Sequence, residues 1–246
     1  MQVWAVTYNP DTFTDQIYQN GLVLVDPESQ ARIKKFYRRD DACLILILKH
    51  LINLSTLPQR TPSLDPPLAF NVSHDNALVA MVAGPGEHDP PAYKLGVDVM
   101  KVELPKRESF PAFVRIFSDQ LTPRETQAVL SVPQAAGVQL FFWIWTMKEA
   151  YTKALGLGLG FDFSRIEYDV ARETLTVDGE TPLGWQFIKF ELGNERNGEQ
   201  EAYQGVAARY TGGNVTDISA QDSKCGNWLV HYDAAAFVTR AIQELA

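Results

Sequence analysis

The segment Trp145-Thr146-Met147-Lys148-Glu149-Ala150-Tyr151-Thr152-Lys153 places three charged side chains directly after a strongly apolar run. On a helix, Glu149 and Lys153 share one face, whereas Lys148 points about 100° away from Glu149. Because residues 140–145 are all apolar, we expect the charged end of this helix to rise from a buried segment to the edge of a cleft. An exposed Glu–Lys pair that stabilises the helix by roughly 0.3 kcal/mol is the alternative, and composition favours neither.

The predicted helices and strands occur in a similar order in the first and second parts of the chain. In the first part, helical spacing covers residues 28–53, a loop covers 57–67, and strand-like runs cover 1–8, 68–73, 77–83 and 93–99, with 84–91 as a hairpin loop. Beyond residue 105, Thr122-Pro123-Arg124-Glu125 is typical of a capped helix start and a second helix begins at Pro133. Strand-like runs return at residues 163–170, 174–177, 185–192 and 202–210, and residues 228–246 are typical of a strand and a short helix. We therefore predict an α+β fold of two similar halves, residues 1–106 and 107–246, with a ligand cleft between them.

Asp98 is the second candidate for chemistry. In Gly96-Val97-Asp98-Val99-Met100, the two valines would face one side of a strand and Asp98 and Met100 the other. A lone Asp in an apolar strand is costly to bury unless it is paired or binds a metal. Backbone N–H groups or a lysine could satisfy it equally well. A carboxylate from each half, Asp98 and Glu149, would offer the two hard oxygen ligands that suit Mg²⁺.

Two further motifs are less specific. Asn71-Val72-Ser73-His74 ends a predicted strand, where side chains commonly reach a ligand, although a single histidine is more often structural. Gly156-Leu157-Gly158-Leu159-Gly160 is not a nucleotide-binding loop, because a helix precedes it and a strand follows. These glycines are expected to end the helix and let the chain turn.

Composition excludes several classes of protein. The net charge of −8 over 246 residues argues against a nucleic-acid partner. One basic cluster stands out, either as a solvated helix face or as a site for a small anion: Arg32, Lys34, Lys35, Arg38 and Arg39. No apolar run approaches the roughly 20 residues needed to cross a bilayer, and the first residues are not typical of a signal peptide. With only two cysteines, a reduced cytoplasmic protein without membrane contact is expected.

Taken together, these motifs resemble the 4′-phosphopantetheinyl transferases of the larger, two-half type. The matching pieces are Phe70 to His74, Gly96 to Met100, Trp145 to Lys153 and the basic segment that begins at Arg32. They occur in the family's order over about residues 1–210. Residues 156–170 are most similar to the eukaryotic enzymes that also serve aminoadipate reductase.

The resemblance implies two α+β halves related by a pseudo-twofold axis, with coenzyme A and Mg²⁺ in the cleft. It implies that Asp98 and Glu149 bind the metal, and that Lys148 and Lys153 lie beside the phosphates. It also implies that Arg32 and the Asn71-Val72-Ser73-His74 segment bind coenzyme A, with Arg32, Ser73 and His74 at its nucleotide end and 3′-phosphate.

Two departures from the family pattern bear on this site. Many members carry a second acid two residues after the Asp, where this chain has Met100. A thioether is a poor ligand for a hard cation, so we expect two protein carboxylates in the metal shell. The Gly-Lys-Pro that usually precedes the Asn-x-Ser-His strand is absent. Only Arg60-Thr61-Pro62 stands nearby, and its effect on coenzyme binding stays open.

The activity implied is attack by a carrier-protein serine on the β-phosphate of coenzyme A, with release of 3′,5′-ADP. Glu149 is the candidate base and Lys153 the group that neutralises the leaving diphosphate. Acyl or peptidyl carrier domains and aminoadipate reductase are the expected partners of a monomeric enzyme, with residues 107–124 as a candidate docking region. A silent homologue that only binds coenzyme A or a carrier, and a Mg²⁺-dependent phosphohydrolase, are the alternatives.

Overall fold

The computed structural model describes residues 1–35, 44–45, 68–85, 94–196, 198–220 and 228–245. The fold is α+β, as predicted. Its helices are α1 (Asp15–Leu22), α2 (Pro27–Ile33), α3 (Phe110–Ile116), α4 (Pro123–Leu130), α5 (Gln134–Ala154) and α6 (Ala234–Leu245). Its strands are β1 (Gln2–Thr7), β2 (Leu68–Asp75), β3 (Leu78–Pro85), β4 (Leu95–Lys101), β5 (Ile166–Asp169), β6 (Thr174–Val177), β7 (Trp185–Arg196), β8 (Glu199–Tyr210), β9 (Asp217–Ala220) and β10 (Leu229–Asp233).

The first sheet has the strand order β10-β1-β3-β2. Strand β1 pairs parallel with β10 and antiparallel with β3, and β3 pairs antiparallel with β2. Its outer face carries Trp4, Val6 and Met81, which pack against Tyr18 of α1 and Phe237 of α6 in one apolar cluster. The two ends of the chain therefore build this sheet together.

The second sheet has the order β4-β8-β7-β9 and repeats the same pairing pattern. Strands β4, β8 and β7 are antiparallel neighbours, and β9 is a parallel edge strand beside β7. Helix α5 packs across β4 and β8, where Phe141, Met147 and Ala150 join Val206 and Ala208 in a second apolar cluster. Strands β5 and β6 form a separate antiparallel pair.

The two sheets face each other through a third apolar cluster. Val3, Ala80 and Val82 of the first sheet meet Val97 and Ala207 of the second. At one side of this interface the edge strands β2 and β4 lie next to each other, although they belong to different sheets. Residues on β2 and β4 are therefore brought within side-chain reach across the boundary between the sheets.

Local signals for the second part of the chain are confirmed. Thr122 caps α4 in a capping box with Glu125, because a hydroxyl and a carboxylate at that spacing satisfy each other's backbone N–H groups. Helix α5 ends at Ala154, followed by Leu155 at the cap and Gly156 with φ +72°. A left-handed residue of this kind commonly ends a helix, and glycine adopts it without a Cβ penalty.

Three other predictions are corrected. The helix over residues 28–53 is not continuous, since α2 ends at Ile33 and Lys34 caps it. Strands β3 and β4 are not partners in a hairpin, because they lie in different sheets, and residues 86–91 of the predicted hairpin loop lie outside the described residues. The sequence predicts no helix between residue 105 and Thr122, whereas the structure has α3 there.

A boundary at residues 106 and 107 separates neither sheet. Strand β4, before it, belongs to the second sheet, and β10, after it, belongs to the first. The predicted loop over residues 57–67, including Arg60-Thr61-Pro62, lies outside the described residues, as do Arg38 and Arg39. No helix among the described residues is both long and apolar enough to cross a membrane.

Candidate active site

Asp98 on β4 is the centre of a small polar network. Its side chain is almost fully buried, and its Oδ1 accepts hydrogen bonds from Ser73 Oγ at 2.8 Å and from Lys153 Nζ at 2.7 Å. Lys153 Nζ also lies 3.0 Å from Ser73 Oγ. These three residues come from β2, β4 and α5, so the network joins the first sheet, the second sheet and the long helix.

Gly96 explains how α5 comes so close to Asp98. A Cβ at Gly96 would lie 2.2 Å from the carbonyl oxygen of Ala150 and 2.6 Å from the backbone nitrogen of Ala154. Only a residue without a side chain permits that approach. Because Gly96 and Asp98 are on the same face of β4, the last two turns of α5 place Glu149 and Lys153 beside the carboxylate.

Glu149 is buried at 7 % exposure and lies close enough to Asp98 for the two carboxylates to repel each other. Burial, with a smaller contribution from Asp98, raises the pKa of Glu149 to about 6, and Lys153 opposes this rise. Burial also raises the pKa of Asp98, against the effects of Lys153 and Ser73. The site therefore holds two carboxylates that are costly to ionise together with one ammonium group between them.

The residues present suit a divalent cation. Asp98 Oδ2 is buried and has no hydrogen-bond partner among the described residues, and an orphaned carboxylate oxygen is costly unless a cation or ligand meets it. Met100 packs against the apolar cluster under α5. Within the described ranges no group of three or more His, Cys, Asp or Glu residues could hold a metal. Asp98 and Glu149 would thus be the two protein ligands.

Lys148 requires a correction, because it does not reach this site. Its side chain is 1 % exposed and its Nζ donates to Glu125 Oε2 at 2.6 Å, to the carbonyl oxygen of Gln120 at 2.8 Å and to that of Phe163 at 3.1 Å. An ammonium group has three donors, and all three are used. The structure therefore places Lys148 in a buried ion pair on another face of α5, and not beside coenzyme phosphates.

The other predicted coenzyme contacts are less closely grouped. Asn71 Oδ1 accepts a hydrogen bond from the backbone N–H of Val97 at 3.0 Å, and Val72 packs against the core of the first sheet. Ser73 is buried while His74, next to it on β2, is exposed. Arg32 is exposed in the last turn of α2. The nucleotide contacts of Arg32 and His74 stay predictions.

A cavity of about 310 Å³ is lined by residues of α3, α5 and β4, and neither Asp98 nor Glu149 is among them. Trp145, one turn before Glu149, and Met100, two residues after Asp98, lie in its wall together with Phe113, Phe117 and Phe141. Asp75, Lys101 and Glu103 contribute charged groups to the same wall. The wall of the cavity is largely uncharged.

Two site features escaped the sequence analysis. The motif from Gly96 to Met100 did not predict that Gly96 permits a close approach of α5. Ala150 and Ala154, four residues apart on α5, are the small residues that accompany such an approach. The aromatic wall from α3 was missed with the helix itself.

Comparison with known proteins supports one family. Residues 94–206 match the family model of the 4′-phosphopantetheinyl transferase superfamily. The chain is 47% identical over 270 residues to the 4′-phosphopantetheinyl transferase pptA of Paxillus involutus, with all of both chains covered. It is 29% identical over 233 residues to the L-aminoadipate-semialdehyde dehydrogenase-phosphopantetheinyl transferase of Mus musculus, covering 80% of this chain and 72% of the mouse protein. A protein of the same description from Schizosaccharomyces pombe is 30% identical over 160 residues, or 55% of this chain and 60% of its own. With the matched motifs meeting around Asp98, the chain belongs to the 4′-phosphopantetheinyl transferase superfamily.

Proposed function

We propose that this chain transfers 4′-phosphopantetheine from coenzyme A to a serine hydroxyl of a carrier domain, with release of 3′,5′-ADP, in the cleft beside Asp98. The observation that carries the proposal is the convergence of Asp98, Glu149 and Lys153 with a buried carboxylate oxygen left open. The matching strand order of the two sheets supports a pseudo-twofold relation between the halves.

Asp98 and Glu149 would hold the Mg²⁺ ion. When bound, the ion neutralises charge on the diphosphate of coenzyme A. Asp98 offers Oδ2, and Glu149 offers a carboxylate whose ionisation a nearby cation favours. Lys153 already lies on the Oδ1 side of Asp98.

Glu149 and Lys153 account for the proton transfer and the charge neutralisation in the reaction. The serine oxygen forms a bond to the β-phosphorus as the bond from that phosphorus to the bridging oxygen breaks, and the serine proton passes to Glu149, directly or through water. Burial raises the pKa of Glu149 in the metal-free protein, and a cation bound beside it would favour its ionised form, so Glu149 is available as a base at neutral pH. Lys153, a quarter exposed, neutralises the charge that develops on the leaving 5′-phosphate of 3′,5′-ADP. Most of the rate is thus expected from positioning and charge neutralisation.

The cavity lined by Trp145 and Phe117 is suited to the uncharged pantetheine arm, because aromatic rings form much of its wall. Two of its wall residues, Met100 and Trp145, lie two residues after Asp98 on β4 and one turn before Glu149 on α5. The diphosphate would then lie at the charged end and the thiol end among the rings. The wall residues come from both β4 and α5, so the arm would be held by the same elements that hold the carboxylates.

The test is the mass increase of a carrier domain on incubation with coenzyme A and Mg²⁺. Glu149→Gln should reduce transfer by about 10³-fold or more, since it removes both a metal ligand and the base, and should keep the fold. Near-normal labelling by that variant would contradict the assignment. Coenzyme A cleavage without a carrier would favour a phosphohydrolase, and binding without labelling would favour a silent homologue.

Asp98→Ala should raise the Mg²⁺ concentration needed for half-maximal transfer and lower the rate. Transfer that is unaffected by a chelator would remove the metal from the proposal while leaving the transferase assignment in place.

Carrier domains of fatty-acid, polyketide and peptide synthetases and an aminoadipate reductase form the panel to be tested. The reductase is included because of the names of the mouse and fission-yeast relatives. Residues 107–124, with exposed Ile116, stay the candidate docking region. A monomeric, cytoplasmic enzyme without a nucleic-acid partner also stays a prediction.

A further inference from the structure

The hydroxyl group of Ser73 both donates and accepts a hydrogen bond within the protein. Ser73 is 5 % exposed, its Oγ donates to Asp98 Oδ1 at 2.8 Å, and the same oxygen accepts from Lys153 Nζ at 3.0 Å. A serine hydroxyl has one hydrogen. Ser73 therefore has no hydrogen left to donate to a phosphate oxygen of coenzyme A.

Ser73 is the middle of three alternating β2 side chains that reach β4. Asn71 Oδ1 accepts from the backbone N–H of Val97 at 3.0 Å, and Asp75 Oδ2 accepts from that of Lys101 at 2.8 Å. The two strands belong to different sheets, so side chains stand where backbone pairing would otherwise satisfy the edge of β4. The position of β4 relative to the first sheet is thus set by these three side chains.

We propose, on the basis of the function proposed above, that Ser73 is a positioning residue for the metal shell. Ser73 and Lys153 together occupy Oδ1 of Asp98, and this leaves Oδ2 as the oxygen without a protein partner. Hydrogen bonds to a ligating carboxylate fix its orientation, and losing one typically costs 10- to 100-fold in metal affinity. This role replaces a hydrogen bond from the Ser73 hydroxyl to the coenzyme, which the resemblance alone implies.

The two roles differ in what a Ser73 substitution changes. A positioning residue affects the binding of a divalent cation and not the binding of the nucleotide without a metal. A coenzyme contact affects the nucleotide in both conditions. Mn²⁺, followed by its electron paramagnetic resonance signal, is the metal probe, and 3′,5′-ADP in chelator, followed by calorimetry, is the nucleotide probe.

Ser73→Ala should weaken Mn²⁺ binding by about 10-fold or more and leave the affinity for 3′,5′-ADP within about twofold of wild type. Ser73→Thr, which keeps the hydroxyl, should restore Mn²⁺ binding, and Ser131→Ala, at an exposed serine that caps α4, should change neither. If Ser73→Ala does not fold, Ser73→Cys keeps the shape with a weak donor and should show the same loss of Mn²⁺ affinity.

Unchanged Mn²⁺ affinity in a folded Ser73→Ala or Ser73→Cys protein would overturn the inference, and so would a loss of 3′,5′-ADP affinity in chelator. Carrier labelling by the wild-type protein is measured in parallel. Absence of labelling together with the expected Mn²⁺ result would reject the proposed function and keep the role of Ser73 in the metal shell. Normal labelling by the wild-type protein together with unchanged Mn²⁺ affinity of the Ser73 variants would reject the role of Ser73 in the metal shell and keep the proposed function.

Discussion

Helix α5 carries two lysine–carboxylate pairs of nearly equal length that differ in how completely they are satisfied. Lys148 and Glu125 lie 2.6 Å apart with both side chains 1 % exposed. Lys153 and Asp98 lie 2.7 Å apart, with 25 % of the lysine side chain and 6 % of the aspartate side chain exposed. The first pair we call the closed pair and the second the open pair.

Every oxygen of the closed pair is used. Glu125 Oε1 accepts from the backbone N–H of Tyr168, and Oε2 accepts from Lys148 and from the backbone N–H of Thr122. In the open pair, Oδ2 of Asp98 has no partner among the described residues, and Glu149 adds a second negative charge. A buried ion pair whose hydrogen-bonding atoms all have partners stabilises one folded arrangement. A buried ion pair with an oxygen that lacks a partner is stabilised when a ligand binds to that oxygen. Sequence spacing alone does not separate the two.

The largest effect on stability is expected from breaking the closed pair. Lys148→Met would leave Glu125 buried without its cation and should lower the free energy of unfolding by about 3–5 kcal/mol, measured by urea denaturation. Because Lys148 lies outside the cleft, the transfer rate per folded molecule should stay near wild type. A loss below about 1 kcal/mol, or a specific loss of coenzyme affinity, would show that Lys148 lies beside the coenzyme phosphates, as the resemblance implies.

Gly96→Ala should push β4 and α5 apart and so increase the distance between Asp98 and Lys153. The new Cβ would meet backbone atoms of α5 that have no flexible side chain to move aside, so we expect a loss of about 1–3 kcal/mol in stability, together with weaker activity. Gly193→Ala is the matched control, since a Cβ there would have its nearest neighbour at 3.9 Å. Equal stability of the two variants would contradict the close packing of β4 and α5.

Lys153→Met tests the open pair directly and is the counterpart of Lys148→Met. Transfer should fall about 10²-fold, because one preorganised positive charge beside the diphosphate is lost. Stability at neutral pH should fall by less than in Lys148→Met, because Lys153 is a quarter exposed, although buried Asp98 also loses its cation. Carrier labelling and urea denaturation on the same preparations measure both. If the two lysine variants gave the same ratio of activity loss to stability loss, the distinction between closed and open pairs would fail.

The smallest effect concerns the cost of ionising Glu149 in the absence of a divalent cation. Because the folded state raises the pKa of Glu149 from its ordinary value of 4.5 to about 6, ionised Glu149 destabilises the fold at pH 8 and protonated Glu149 does not. Glu149→Gln should therefore be more stable than wild type by about 1–2 kcal/mol at pH 8 in chelator. That difference should shrink as the pH falls through 6 and disappear near 4.5. A difference that is constant with pH would mean that Glu149 is not strained by burial and by Asp98.

Much of the second part of the chain could be predicted because its signals are local. The capping box at Thr122, the apolar run before Glu149 and the glycine after the helix each involve residues within one or two turns of each other. Helix α1, only eight residues long with Gly21 inside it, carries too little periodicity to be recognised. The supposed hairpin before β4 shows the same limit, since turn residues indicate a reversal of the chain and not which sheet receives the next strand.

The residues that form the site could be predicted better than the contacts between them. Asp98, Glu149 and Lys153 were chosen from their motifs, and their pairing spans 55 residues of chain between Asp98 and Lys153. Lys148 was misplaced because its partner Glu125 lies 23 residues earlier and seemed fully explained as a helix cap. Spacing gives the face of a helix, but the partner on that face depends on packing that only the folded chain defines.

The return of the chain to the first sheet bears on how the protein is made. Strand β10 pairs with β1, and Phe237, Val238 and Ala241 of α6 fill the core over that sheet. At a synthesis rate of about 5–20 residues per second, roughly 7 to 30 seconds separate the emergence of β3 from that of β10. During that interval the apolar face formed by Trp4, Val6 and Met81 lacks its C-terminal cover. The apolar face of the first sheet is therefore incompletely covered during synthesis until α6 has emerged.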